Sequence, residues 1–262
     1  MKIAYVQIAG GIGSQIIGAL AVKSLERKGY FVFKDGRYFS KNGKKLIPEN
    51  ISIFKKEISN DILKFKLYEK SNLVVRVIKY TFKSINFISP NSIKFFEEFP
   101  VNKRKSSEAK NFLDSQEGKE IIKKILIELD INDEGSNDNS ICIHLRRGDF
   151  LNAGLETLSL KSAINEIKKF TSKIENFLIT VITDSPELIK EELKNLDFNC
   201  EIQSSSLKED LKVMIKSNYF VASNSQLSLI SIWLSKNISK ISCPEDFKEL
   251  VPQKSVNKIF WR

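Results

Sequence analysis

From residue 140 onward the chain alternates between short apolar, β-branched runs and amphipathic stretches, and this alternation is its strongest constraint on fold. Ser140–Leu145 and Phe177–Thr183 read as buried strands, with an amphipathic helix at Leu160–Thr171 between them. A helix at Pro186–Leu196 follows, with proline in its first turn and Glu187 beside it, as helix starts prefer. Phe198–Gln203 reads as a strand, Leu207–Lys216 as a helix, Asn218–Ala222 as a strand and Gln226–Ser235 as a helix. Ser239–Ser242 is the last strand before Pro244. Strands and helices alternating at this spacing predict parallel βαβ units with helices on both faces of one sheet. The carboxyl half is therefore expected to be Rossmann-like.

The amino half begins in the same way. A strand at Lys2–Ile8 leads through a turn at Ala9–Gly13 into a helix at Ser14–Lys28 and a strand at Tyr30–Phe33. Further on, Leu73–Phe87 and Glu117–Leu129 read as helices. Ile131–Ser140 is polar, acidic and turn-rich, which makes it the expected linker. The chain thus divides into residues 1–135 and 136–262, two α/β domains facing a cleft near the carboxyl ends of their strands, where such folds place ligands. The competing architecture is one continuous doubly wound sheet.

Composition removes several alternatives. With 42% hydrophobic residues, 6 Pro and 11 Gly, the 262-residue chain is neither disordered nor fibrous. Its single histidine, His144, excludes a His-rich zinc site, and any histidine chemistry must use it. Cys142, Cys200 and Cys243 are odd in number and widely spaced, as expected of buried thiols in a reducing compartment. The first residues are apolar over too short a run for a signal peptide, and no window approaches the roughly 18 apolar residues of a membrane span. A cytoplasmic protein is expected. The net charge of +10 arises wholly between Lys34 and Lys110, where 18 Lys and Arg face 8 Asp and Glu. Such an excess suits a solvated surface, an anionic substrate or an anionic membrane face. Nucleic acid is disfavoured, because the aromatics of the stretch sit at core-like spacings and no reader motif accompanies them.

Four segments carry groups suited to chemistry. Gly10-Gly11-Ile12-Gly13-Ser14-Gln15 joins the first strand to the first helix, where glycines admit close backbone approach and helix amides favour anions. Ile16 stands where the dinucleotide fingerprint needs glycine, so an NAD site resting on Asp35 has little support. His144-Leu145-Arg146-Arg147-Gly148-Asp149 ends a buried strand in a polar cluster. Adjacent side chains there point to opposite sides, so one arginine can face a ligand phosphate while its neighbour packs or pairs with Asp149. Asp184 ends the next strand, placed to accept from a base or ribose or to cap a helix. Ser223-Asn224-Ser225 ends a later strand and opens a helix, offering hydroxyls and amides to phosphate oxygens or merely capping. No Asp-x-Asp pair for a metal-held diphosphate occurs. Arginine, serine and helix amides are left to neutralise such a group.

In this order the motifs resemble the family-11 α-1,2-fucosyltransferases. Val6–Gln15 is similar to their Gly-Gly-Leu-Gly-Asn-Gln opening, and His144–Phe150 to their His-x-Arg-Arg-Gly-Asp-Tyr signature. Ile182-Thr183-Asp184 is similar to their Phe-Ser-Asp strand end, and Asp210-Leu211 with Ala222–Ser225 to a later segment. The resemblance implies an α/β, GT-B-like fold of two Rossmann-like domains, a GDP-fucose donor, inversion at the anomeric carbon and no metal cofactor. It implies Arg146 at the β-phosphate, His144 and Asp184 near the guanosine, and Ser223, Asn224 and Ser225 around the donor. Gly10, Gly11, Gly13, Ser14 and Gln15 would face the sugar or acceptor, and Asp149 is the nearest candidate base. The acceptor would be a glycan or lipid-linked oligosaccharide of surface polysaccharide synthesis, with peripheral contact at the inner membrane. Ser14 replaces the family's asparagine, and Gln226-Leu227-Ser228-Leu229-Ile230 replaces an aromatic run. Another GDP-sugar, or a basic binding protein without catalysis, are the alternatives.

Overall fold

The computed structural model describes residues 2–8, 11–35, 93–96, 103–128, 131, 139–152, 154, 157–171, 176–196, 198–252 and 257–261. The expected helix at Leu73–Phe87, Gly10, most of the linker and most of the basic stretch lie outside them. Contacts divide the chain into two compact units, Met1–Ile125 and Leu126–Arg262.

In the first unit, β1 (Lys2–Gln7) is the middle strand of three, with β2 (Tyr30–Asp35) and β3 (Ile93–Phe96) parallel on either side. Helix α1 (Ile12–Arg27) connects β1 to β2 and packs on α2 (Lys103–Leu113). Ala4, Val6, Ile8, Val22, Leu25 and Val32 form its apolar core. Among them lies a buried carboxylate. Glu108 of α2 accepts from Ser24 at 3.0 Å and Lys28 at 2.5 Å, and Lys94 stands 3.9 Å away. Helix α3 (Gln116–Glu128) follows after a tight turn, and a Cβ on Gly118 in its first turn would lie 2.2 Å from the Phe112 carbonyl oxygen.

The second unit is one parallel sheet of six strands. Its strands are β4 (Ser140–Leu145), β5 (Leu178–Thr183), β6 (Glu201–Gln203), β7 (Tyr219–Val221), β8 (Lys240–Pro244) and β9 (Asn257–Trp261). The order across the sheet is β6-β5-β4-β7-β8-β9. Numbered within the unit this is 3-2-1-4-5-6, the Rossmann order. Connecting them are α4 (Gly148–Asn152), α5 (Leu160–Lys168), α6 (Pro186–Leu193), α7 (Leu207–Lys216) and α8 (Gln226–Leu234). Ser159, Ser206 and Ser225 cap α5, α7 and α8 by accepting from the amides of Ser162, Glu209 and Leu227. On one face Ile141, Ile143 and Leu145 pack with Val181, Val221 and the α5 residues Leu160, Ala163, Ile164 and Ile167. Each such valine, leucine or isoleucine side chain contributes roughly 1.5–3 kcal/mol on burial. Cys142 and His144 take the alternate positions of β4 and are also buried. Helix α8 is buried almost all round, including Ser228 and Ser231.

Among the described residues the strands form two separate parallel sheets rather than one continuous sheet. Cys142 and Cys243 are buried, Cys200 is half-buried, and all three are free thiols. Burial raises all three, Cys243 to about 12. Among the described residues no helix is long and apolar enough to cross a membrane.

Candidate functional site

In the Rossmann order the chain leaves β4 toward one edge and returns to β7 toward the other, which opens a crevice at the carboxyl ends of those two strands. Ile143 of β4 pairs with Val221 of β7, so residues 144–147 and 222–225 leave the sheet side by side. Leu145 pairs with Thr183, which puts Asp184 on the other flank of β4. The three polar strand ends read from the sequence therefore stand on three neighbouring strands.

His144 is buried, with its Nδ1 2.6 Å from the Ser228 hydroxyl and 3.2 Å from that of Ser223; the two hydroxyls are 3.2 Å apart. Burial, and then the nearby Arg146 charge, lower its pKa to about 4 against the opposing pull of Asp184. The imidazole is neutral at physiological pH. The ring serves as a fixed hydrogen-bonding group at the switch point, joining β4 to the loop after β7 and to α8.

Asp184 is tightly engaged. Its Oδ1 accepts from the amides of Arg147 at 2.9 Å and Gly148 at 3.1 Å, and from the Ser185 hydroxyl at 3.3 Å. Its Oδ2 lies 3.2 Å from Arg146 Nε. Partial burial alone would raise the carboxyl; the two amides, the Arg146 charge and the Ser185 hydroxyl outweigh it and hold the pKa below the usual value. The carboxylate thus orients Arg146 and fixes the turn after β4, while Ser185 takes the N-cap position of α6. Gly148 belongs to the same contact, since a Cβ there would stand 3.2 Å from Asp184 Oδ2.

The two arginines diverge as strand geometry requires. The Arg146 side chain is 36% exposed, and that of Arg147 is 5% exposed. Arg147 donates from Nε and Nη2 to the Leu158 carbonyl at 3.3 and 2.9 Å. Its Nη1 donates to Glu192 Oε1, and its Nη2 to Oε2 at 3.2 Å. The carboxylate that receives Arg147 is Glu192 of α6, a residue the sequence reading does not single out. Asp149 lies in α4, with its side chain outside the described residues.

At α8, Ser223 is committed to His144 and Ser228, and Ser225 caps the helix by accepting from the Leu227 amide at 3.2 Å. Asn224 Oδ1 and Gln226 Oε1 are buried acceptors without a partner among the described residues. Unpartnered buried acceptors are uncommon, and these two flank Ser225. Ser228 is a further site residue that sequence reasoning missed. The available signal was a serine among the leucines and isoleucines of a largely apolar helix, since a buried hydroxyl demands a partner.

The glycine turn belongs to the first unit. Gly11 precedes α1 with φ −71°, and its carbonyl accepts from the Gln15 amide at 3.1 Å. A Cβ on Gly11 would meet no atom of the described residues within 4 Å. Gly13 is buried; Ser14 and Gln15 are half-buried. Among the described residues no group of three His, Cys, Asp or Glu side chains is placed to hold a metal ion.

Comparison with known proteins matches residues 46–246 to the model of glycosyl transferase family 11. No curated protein sequence matches the chain. Among solved structures, the chain is similar to the fucosyltransferase NodZ from Bradyrhizobium at 11% identity, over 89% of this chain and 93% of that one, with a TM-score of 0.44. It is similar to the E. coli heptosyltransferase WaaC with ADP at 9% identity, over 100% and 94%, with a TM-score of 0.44. To POFUT1 in complex with GDP the identity is 15%, over 98% of each chain, with a TM-score of 0.39.

Proposed function

Because the chain belongs to glycosyl transferase family 11, we propose that it transfers L-fucose from GDP-fucose, with inversion and without a metal, to a 2-hydroxyl of a glycan acceptor in surface polysaccharide synthesis. The observation that carries this reading is Arg146. It projects half-exposed from the end of the central strand, beside the switch-point crevice, with Nε aligned by Asp184. As the acceptor hydroxyl attacks the anomeric carbon and GDP departs, negative charge grows on the β-phosphate. A guanidinium fixed there stabilises the transition state more than the ground state. The amides at the start of α8 add positive potential on the other side of the crevice. His144, neutral and held by Ser223 and Ser228, offers a hydrogen bond without competing for the phosphate charge, which suits a place beside the nucleoside. Asp149 is the proposed base. In the first unit, neither a left-handed φ nor a neighbouring atom calls for glycine at Gly11. Glycine suits the N-cap position that Gly11 holds at α1, and the lack of a side chain there leaves room for a bound molecule, which fits a role toward the sugar or acceptor. Peripheral attachment through the basic Lys34–Lys110 stretch to anionic lipid is part of the same reading.

The test is turnover of GDP-fucose by folded Arg146→Ala and Arg146→Lys, with and without EDTA. Loss of one such charge-stabilising donor lowers turnover by about 10²–10³. Lysine keeps the charge without the planar fork, so it should not rescue. EDTA should leave the wild type unchanged. Retention of more than about a tenth of turnover by Arg146→Ala would remove this arginine from the leaving group. A wild type that turns over a different GDP-sugar instead would redirect the donor assignment.

A further inference from the structure

Around Arg147 three separated pieces of chain meet. Arg147 follows the end of β4, Leu158 and Leu160 lie at the start of α5, and Glu192 projects from the last turn of α6. Two guanidinium nitrogens reach the Leu158 carbonyl, two reach Glu192, and Glu192 Oε2 accepts from the Leu160 amide at 2.9 Å. Arg147 thus holds its own end of the chain to Leu158, ten residues on from Gly148, and Glu192 in turn holds the guanidinium. On its other side Arg147 is tied to the site: its amide donates to Asp184, whose second oxygen aligns Arg146. Arg147 is too deeply buried to reach a ligand itself.

We propose that Glu192 is a positioning residue of the transferase: by seating Arg147 it fixes the turn that carries Arg146 and the base of the 148–158 loop. This rests on the donor reading above for its effect on turnover, and on geometry alone for its effect on the loop. A carboxylate is the group the place requires, because a buried guanidinium left without its partner moves rather than remain uncompensated. Burial would raise Glu192, but the Arg147 hydrogen bond, the Leu160 amide and the Arg147 charge hold its pKa below the usual value, so the carboxylate stays ionised at neutral pH. A displacement of about 1 Å at a reacting group is enough to cost about 10²-fold in rate.

The experiment pairs Glu192→Gln with Arg146→Ala in a double-mutant cycle, read on GDP-fucose turnover, with backbone hydrogen exchange measured on the same proteins. Glutamine keeps the size and an acceptor for Leu160 but loses the charge, and Glu192→Asp serves as the conservative rescue. Glu192→Gln should lower turnover about tenfold or more, Glu192→Asp should recover part of it, and in the Arg146→Ala background Glu192→Gln should change turnover less than about twofold. Exchange should rise at residues 146–158 and stay unchanged in β8. Turnover within about twofold of wild type, or losses that multiply in the double variant, would overturn the proposal. So would exchange that rises equally across the whole unit, which is the mark of a merely structural residue. If GDP-fucose is not turned over at all, the donor reading fails, and the exchange pattern alone decides whether Glu192 seats the loop.

Discussion

At the scale of single residues, His144 couples the site to pH. Its ordinary value is 6.5 and its folded value is about 4, so between these the unfolded chain binds a proton that the native one does not. The stability this confers is whole above about pH 6.5 and falls away toward pH 4. At its full extent the shift corresponds to about 3 kcal/mol. Asp184 and Glu192 have depressed values, so their stabilisation persists through that window and is lost only as pH falls below the ordinary carboxylate range. The expected outcome is that urea unfolding from pH 7 to 4.5 shows a decline in wild type that is largely absent in His144→Gln. An identical decline in both proteins would mean that the histidine is not held neutral. The opposed fates of Arg146 and Arg147 were legible beforehand from strand alternation. Glu192 was not, since it lies on a helix far along the chain and only folding brings it to Arg147.

At the scale of elements, the α2–α3 turn depends on one missing side chain. A Cβ on Gly118 would overlap the Phe112 carbonyl, which is backbone and cannot swing aside. Gly118→Ala is expected to destabilise by about 1–3 kcal/mol, seen as a lower urea midpoint, whereas Gly11→Ala should leave the midpoint in place. Equal midpoints for the two variants would refute the argument. Elements whose core signal is apolar were readable: β4, β5 and β7 are largely buried and show as runs dominated by apolar and β-branched residues. Helix α2 was not, because its buried face includes Lys105, Ser106 and Glu108, and its contacts are partly ionic. β3 has four residues and β9 begins with Asn257 and Lys258, too little pattern for a strand to stand out. β6 is shorter than read, because Phe198 and Cys200 pack beside the core without joining the ladder.

At the scale of the whole molecule, the residues proposed to hold the donor, His144, Arg146, Asp184 and Ser223 to Ser225, all lie in the second unit, Leu126–Arg262. A fragment spanning that unit that folds by circular dichroism should bind GDP within about tenfold of the full chain, a difference of about 1.4 kcal/mol, and should transfer nothing. A folded fragment blind to GDP would place the nucleotide elsewhere. The same topology has a consequence during synthesis. β4 is the first strand of its sheet to leave the ribosome and the one destined for the middle, with β5 and β7 on its flanks. At roughly 5–20 residues per second, seconds pass between the completion of Leu145 and that of Val221. Through that interval Ile141-Cys142-Ile143-His144-Leu145 has a bare edge and apolar flesh on both sides, the condition in which nascent chains stick to one another or recruit a chaperone. The strand that leads into the candidate site is the one the newborn chain must shelter longest.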